Sequence, residues 1–103
     1  MSDFSLPTQF DRLIHQPSRL AIMAVLAGCE SADFTYLLNT TGLTKGTLSA
    51  HLSKLEEAGY VAITKSFKGK YPHTSAALTS EGRRAFKKYR KQYHDFGESL
   101  SQE

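Results

Sequence analysis

The segment Leu43-Thr44-Lys45-Gly46-Thr47-Leu48-Ser49-Ala50-His51-Leu52-Ser53-Lys54-Leu55-Glu56-Glu57-Ala58-Gly59 reads as one short helix with a marked start and a marked stop. Thr44 suits an N-cap, because its hydroxyl accepts from a first-turn N–H that has no partner inside the helix. Leu43 before the cap and Leu48 at the fourth helical position have the spacing of a hydrophobic staple. Gly59 ends the segment, since glycine enters the left-handed region at little steric cost. Leu48, Leu52 and Leu55 share one side, with Ala58 near its edge. That stripe must lie against a core built by the rest of the chain.

The opposite side carries Gly46, Thr47, Ala50, Ser53, Lys54 and Glu57. Its first two turns offer Lys45, Gly46, Thr47, Ser49 and Ala50, which are small or hydrogen-bonding groups with one cation. Small residues let a helix backbone approach a surface closely, and hydroxyls bond to base edges and phosphates. Such a face suits a helix whose N-terminal end enters a DNA major groove. On this segment alone, an ordinary amphipathic helix with incidental small residues is the alternative.

Size and charge narrow the choice. A chain of 103 residues fits one domain with a modest core, and its hydrophobic share of 40% leaves little to spare. No apolar run approaches the roughly 18–20 residues needed to span a bilayer. The N-terminus lacks the basic-then-apolar pattern of a secretory signal. The single Cys29 excludes an internal disulfide and fits a reducing, cytoplasmic setting. The net charge of +3 is unevenly spread: residues 1–43 sum to −2, residues 44–91 to +8 and residues 92–103 to −3. A basic middle section around the candidate helix is the electrostatic footprint of a nucleic-acid binder.

Residues 1–7 read as a flexible terminus and residues 8–103 as a single domain. From Thr8 to about Ile14 the pattern predicts a short helix with Phe10, Leu13 and Ile14 on one side. Pro17 interrupts it and opens a second helix to Ala27, because proline is disfavoured inside a helix and welcome at its first position. In that helix Leu20, Met23, Ala24 and Ala27 form one face, and Ile22, Val25 and Leu26 extend the apolar surface most of the way round. Asp33 caps a short helix containing Phe34, Tyr36, Leu37 and Leu38, which ends near Gly42. Together with the segment from Thr44 this forms a helix-turn-helix, whose second helix is the one that reads DNA.

After Gly59 the period changes from 3.6 to 2. Tyr60 to Phe67 and Tyr71 to Leu78 read as two strands around a Lys68-Gly69-Lys70 turn, a two-stranded wing. Lys65, Lys68, Lys70 and His73 cluster about its tip, where lysines also serve to protect an exposed edge. Thr79 caps a long helix from Ser80 to about Leu100. Its Phe86, Tyr89, Tyr93, Phe96 and Leu100 recur with the 3.5-residue period of a coiled-coil seam. This predicts dimerisation through the seam, with Phe10, Leu13 and Ile14 of a partner as further contacts; the alternative is that the helix covers its own core. The fold class expected is α+β, mainly α, with a two-stranded wing and a long C-terminal dimerisation helix.

The sequence resembles the winged helix-turn-helix transcriptional regulators of the multiple-antibiotic-resistance-regulator (MarR) and arsenical-resistance-regulator (ArsR) type. Pro17-Ser18-Arg19-Leu20-Ala21-Ile22 is similar to the family's opening, Thr47 to Val61 to its recognition-helix signature, and Leu78-Thr79-Ser80-Glu81-Gly82-Arg83 to the start of its last helix. Small effector-less winged-helix proteins of about this length are most alike. The resemblance implies a homodimer on pseudo-palindromic double-stranded DNA. It implies that Thr47, Ser49 and Ala50 face bases, that Lys45 and Lys54 face phosphates, and that Lys68 and Lys70 reach the flanking minor groove or backbone. His51 sits nearer the buried edge, with a packing or phosphate role. The candidate DNA-contact set is Thr44, Lys45, Gly46, Thr47, Ser49, Ala50, His51, Lys54, Lys65, Lys68, Lys70 and His73.

The chain departs from the metal-sensing members. Cys29 stands alone, and His15, His51, His73 and His94 lack ligand spacing, so no metal or other cofactor is expected. No nucleophile-base set, phosphate loop or carboxylate pair suggests an enzyme. A protein-interaction module on the same scaffold, or a non-specific architectural DNA binder, are the competing readings.

Overall fold

The computed structural model describes residues 10–101. The flexible terminus expected at residues 1–7, and Thr8 as a helix start, lie outside them. Among the described residues four helices and three strands follow in the order α1 (Pro17–Ala27), β1 (Ala32–Asp33), α2 (Phe34–Thr41), α3 (Lys45–Glu57), β2 (Val61–Lys68), β3 (Tyr71–Leu78) and α4 (Ser80–Leu100).

The helix expected before Pro17 is replaced by turns over residues 11–16. Asp11 is the reason. Its carboxylate accepts from the Leu13 and Ile14 N–H groups at 2.9 and 3.4 Å, competing with the backbone for the donors a helix would use. The same side chain accepts from the Tyr60 hydroxyl, anchoring this turn to the junction of α3 and β2 and pushing the phenol up to about 12. Gln16 then caps α1, its side chain accepting from Arg19 N–H at 2.8 Å, with Pro17 at the first helical position.

The inward stripe of α1 is Ile22, Met23 and Leu26, whereas Ala24, expected on it, is exposed. This helix touches α2, α3, β3 and α4, so its largest side chains turn to the common centre. They meet Leu37 of α2, Leu48, Leu52 and Leu55 of α3, and Val61, Ala76 and Leu78 of the sheet in one core.

The sheet has three strands in the order β1-β3-β2, all antiparallel, rather than the two expected. The extra strand pairs Ala32 with Ala76 and Asp33 with Ser75. Two residues are too short to show a period. The hairpin of β2 and β3 runs in register from Val61↔Leu78 to Lys68↔Tyr71, leaving Gly69-Lys70 as a two-residue loop. Gly69 has φ +64°, the conformation the first loop position of such a hairpin requires.

Thr79 joins α3 to α4. Its hydroxyl donates to the Gly59 carbonyl at 2.6 Å and accepts from Gly82 N–H at 2.9 Å, while its N–H donates to the Tyr60 carbonyl at 3.0 Å. Buried Gly82 lies directly on the Tyr60 backbone.

The aromatic seam of α4 divides. Phe86 and Tyr89 are buried in the chain's own core with Phe10 and Ile14. Leu13 and Phe96 pack at its edge, and Phe96 meets the Phe10 ring edge-on at 5.9 Å. Tyr93 and Leu100 remain 55% and 60% exposed. The radius of gyration, 15.5 Å, exceeds the ~13 Å of a compact domain of this size. The hairpin from Thr64 to Pro72 is exposed, as is Leu100 at the end of α4.

Candidate nucleic-acid interface

The helix α3 starts and stops as its sequence predicts, so the groups on its outer face are held in fixed positions. Thr44 accepts from Thr47 N–H at 3.2 Å, and its hydroxyl donates to the Thr47 hydroxyl at 2.9 Å. At the other end Gly59, with φ +84°, donates to Glu56 and Tyr60 donates to Leu55. This paired closure satisfies two carbonyls that would otherwise lack donors.

Leu48, Leu52 and Leu55 are buried, and Thr44, Lys45, Gly46, Thr47, Ser49, Ala50, Ser53 and Lys54 are all exposed. An alanine Cβ at Gly46 would meet nothing within 4 Å. The N-terminal half of the helix is therefore open to close approach. Its unpaired N–H groups and the positive end of the helix dipole favour an anion there.

His51 is half-buried beside this face. Arg19 Nη1 donates to its Nδ1 at 3.2 Å, and Arg19 Nε donates to the Leu13 carbonyl. Arg19, quoted in the Pro17–Ile22 motif but not in the candidate DNA-contact set, thus ties α1 to the interface helix. With Nδ1 accepting, the ring is neutral and carries its proton on Nε2. Burial, then Arg19, then Lys54 hold the imidazole below its ordinary value of 6.5. The folded state therefore binds this proton less readily than the unfolded chain, so the contribution is complete above pH 6.5 and lost as pH falls through the lower folded value. We expect the melting temperature to fall on acidification through this window, and to fall less in His51→Gln. Identical pH profiles for the two proteins would show that the Arg19 contact does not depend on the protonation state.

The hairpin supplies the second half of the site. Lys65, Lys68 and Lys70 are exposed, and His73 is partly buried. Between Ala58 and Ser80 there is no acidic residue, so this arm is positive without internal compensation. The register places Lys65 on the core-facing side, with Val61 and Ile63, and Lys68 and His73 on the outer side. An open groove of about 610 Å³ separates helix from hairpin, lined by Ser49, Ser53, Glu56, Ile63, Lys65 and Thr74. The α3 candidates are thus brought together on one face, and the hairpin lysines stand on a separate arm beside it. Among the described residues, no group of three or more His, Cys, Asp or Glu side chains could hold a metal ion. Cys29 is a half-buried free thiol whose carbonyl accepts from Arg83 at 3.0 Å.

A helix-turn-helix followed by a projecting basic hairpin decides the family. Residues 18–96 match the winged helix DNA-binding domain. The chain belongs to this family. An uncharacterized protein of Methanocaldococcus jannaschii is 42% identical over 79 residues, 76% of this chain and 85% of that protein. A transcriptional regulator homologue from Pyrococcus horikoshii OT3 has a similar structure, with a TM-score of 0.83 and 26% identity over 89% of this chain and 91% of that one. The fold is also that of a candidate transcriptional regulator of the MarR family from Enterococcus faecalis V583, with a TM-score of 0.75 and 22% identity over 87% and 80% of the two chains. In this family's fold α3 is the second helix of the helix-turn-helix and the β2–β3 hairpin is the wing. Its architecture is that of DNA-binding transcriptional regulators. No described helix is long and apolar enough to cross a membrane.

Proposed function

We propose that this winged-helix protein is a sequence-specific transcriptional regulator that binds double-stranded DNA as a homodimer. The carrying observation is the outer face of α3, where Lys45, Gly46, Thr47, Ser49 and Ala50 are exposed together beside an acid-free basic wing. Thr47, Ser49 and Ala50 read bases in the major groove. Thr44, Lys45, Gly46 and Lys54 set the helix on the phosphates, and Lys65, Lys68, Lys70 and His73 hold the flanking backbone. His51 keeps the helix at its angle through Arg19.

The second copy docks on α4. Tyr93 and Leu100 are exposed there, and Tyr93 lines an open groove of about 680 Å³ with Leu20 and Phe86, rimmed by Lys87, Arg90 and Lys91. Two copies joined through these helices present two recognition helices, which matches a two-fold DNA site. Phe10, Leu13, Ile14, Phe86, Tyr89 and Phe96 support that surface from inside each chain.

Selection from random duplexes at two salt concentrations tests the proposal. A palindromic motif is the expected result. Thr47→Ala should change the motif, whereas Lys68→Ala and Lys70→Ala should weaken all duplexes and reduce the salt slope by about one each. Salt-sensitive binding without a motif would replace this reading with an architectural role. No binding at either salt would replace it with a protein-interaction module. Sedimentation of the free protein tests the dimer, and a monomer at micromolar concentration would refute it.

A further inference from the structure

The tip of the wing carries more than charge. Phe67 is 72% exposed and Tyr71 is 77% exposed, the two most exposed large hydrophobic side chains described. Neither supports the core. The strand register explains how they come to be there. Alternation along β2 puts Val61 and Ile63 over the core, and the same side continues outward through Lys65 to Phe67. Opposite Phe67 stands Pro72, and opposite Lys68 stands Tyr71. The tip is therefore a thin blade. One face carries the apolar pair Phe67 and Pro72, on the side of the hairpin that borders α3 across the groove. The other face carries Lys68 and Tyr71.

An exposed aromatic pair on a narrow hairpin is costly in water and invites association. Its surroundings indicate what covers it. Lys65, Lys68 and Lys70 flank the aromatics along the hairpin, no acidic residue lies between Ala58 and Ser80, and Glu56 of α3 shares with Lys65 the groove at the foot of the hairpin. Such a tip complements a polyanion that also offers an apolar slot. A duplex minor groove does so: phosphates line its rims, and sugars and base edges line its walls. Phenylalanine and proline are among the side chains that wedge between base steps from this groove and bend the duplex.

We propose that Phe67 and Pro72 form an apolar wedge that enters the minor groove beside the site read by α3 and partly unstacks one base step there. Tyr71 lies on the other face of the blade against the sugar wall, and Lys65, Lys68 and Lys70 hold the flanking phosphates. Part of the sequence preference then comes from deformability. Flexible pyrimidine–purine steps are favoured at the wedge position although no hydrogen bond reads them. This inference rests on the DNA-binding reading above.

The test uses the full chain and a duplex bearing its selected site, with a donor and an acceptor dye on the ends and 2-aminopurine at the flanking steps. The wild type should brighten 2-aminopurine at one flanking step and bring the ends closer. Phe67→Ala should lose both signals and bind roughly tenfold more weakly with an unchanged salt slope. Phe67→Leu, still able to wedge, should keep both signals. Lys68→Ala should show the reverse, with a smaller salt slope and the unstacking retained. Phe67 is outside the core, so its variants remain folded. Wild-type binding without either signal, or Phe67→Ala retaining both, would overturn the wedge while leaving DNA binding intact. A wild type that binds no duplex would overturn both readings, and is recognised by the absence of any anisotropy change.

Discussion

Gly82→Ala is expected to destabilise the protein by about 3 kcal/mol or more, the cost of forcing atoms into a filled site where backbone must move. Gly82 lies in the first turn of α4, where helix propensity alone would favour alanine by about 1 kcal/mol. The structure reverses that preference. A Cβ added there would overlap the carbonyl of Tyr60, a backbone group with no flexible end to yield. That carbonyl is also the acceptor for Thr79 N–H, and the Thr79 hydroxyl holds both Gly59 and Gly82. Any shift of α4 away from Tyr60 therefore pulls on the joint that closes the recognition helix. Gly97, on the same helix, is the control: a Cβ there meets nothing within 4 Å. Gly97→Ala should stabilise by about 0.5–1 kcal/mol. Urea melts of the three proteins decide the matter, and an unchanged midpoint for Gly82→Ala would refute the close-packing account.

Ala50→Glu is expected to lower affinity for the selected duplex by more than about a hundredfold while leaving the fold intact. Ala50 is exposed on the outer face of α3, opposite the buried Leu48, Leu52 and Leu55. A methyl group there allows the helix to approach base edges. In the proposed complex a glutamate adds bulk where helix and base edges approach most closely, and a negative charge among phosphates. The substitution does not burden the helix, because glutamate is a good helix former and the new carboxylate stands one turn before Lys54, a favourable spacing for an ion pair. The thermal midpoint should be unchanged or slightly raised. Retained binding to specific DNA by a folded Ala50→Glu protein would remove α3 from the major groove and leave the wing as the principal contact.

Ala50 and Gly82 are fixed by contacts of different range along the chain. The face carrying Ala50 was legible in the chain, because Thr44 and Gly59 close the helix through bonds a few residues long and the leucine spacing orients it. The same holds for the hairpin around Gly69 and for the bounds of α4. The reason for Gly82 was not legible, although the residue stands in a recognisable motif. Its partner, Tyr60, is more than twenty positions away and contributes a backbone oxygen, which leaves no pattern in side-chain types.

The other departures share that cause. Asp11 turned a helical pattern into turns because its carboxylate meets both its own neighbours and the distant Tyr60 hydroxyl. The strand at Ala32–Asp33 exists only because β3 passes beside it. The seam of α4 has one regular period, yet Phe86 and Tyr89 are buried, Phe96 packs at the edge of the core and Tyr93 between them is exposed, since the neighbouring elements cover only part of the seam. Arg19 reached His51 across two helices. By itself, then, the sequence determined α1 to α4, the hairpin, the caps at Asp33, Thr44 and Thr79, the leucine face of α3 and the distribution of charge, all of which follow from interactions within a turn or two of the chain. Only the tertiary structure decided which apolar positions are shared with a distant neighbour and which are left over at the surface, because burial depends on where the other elements end.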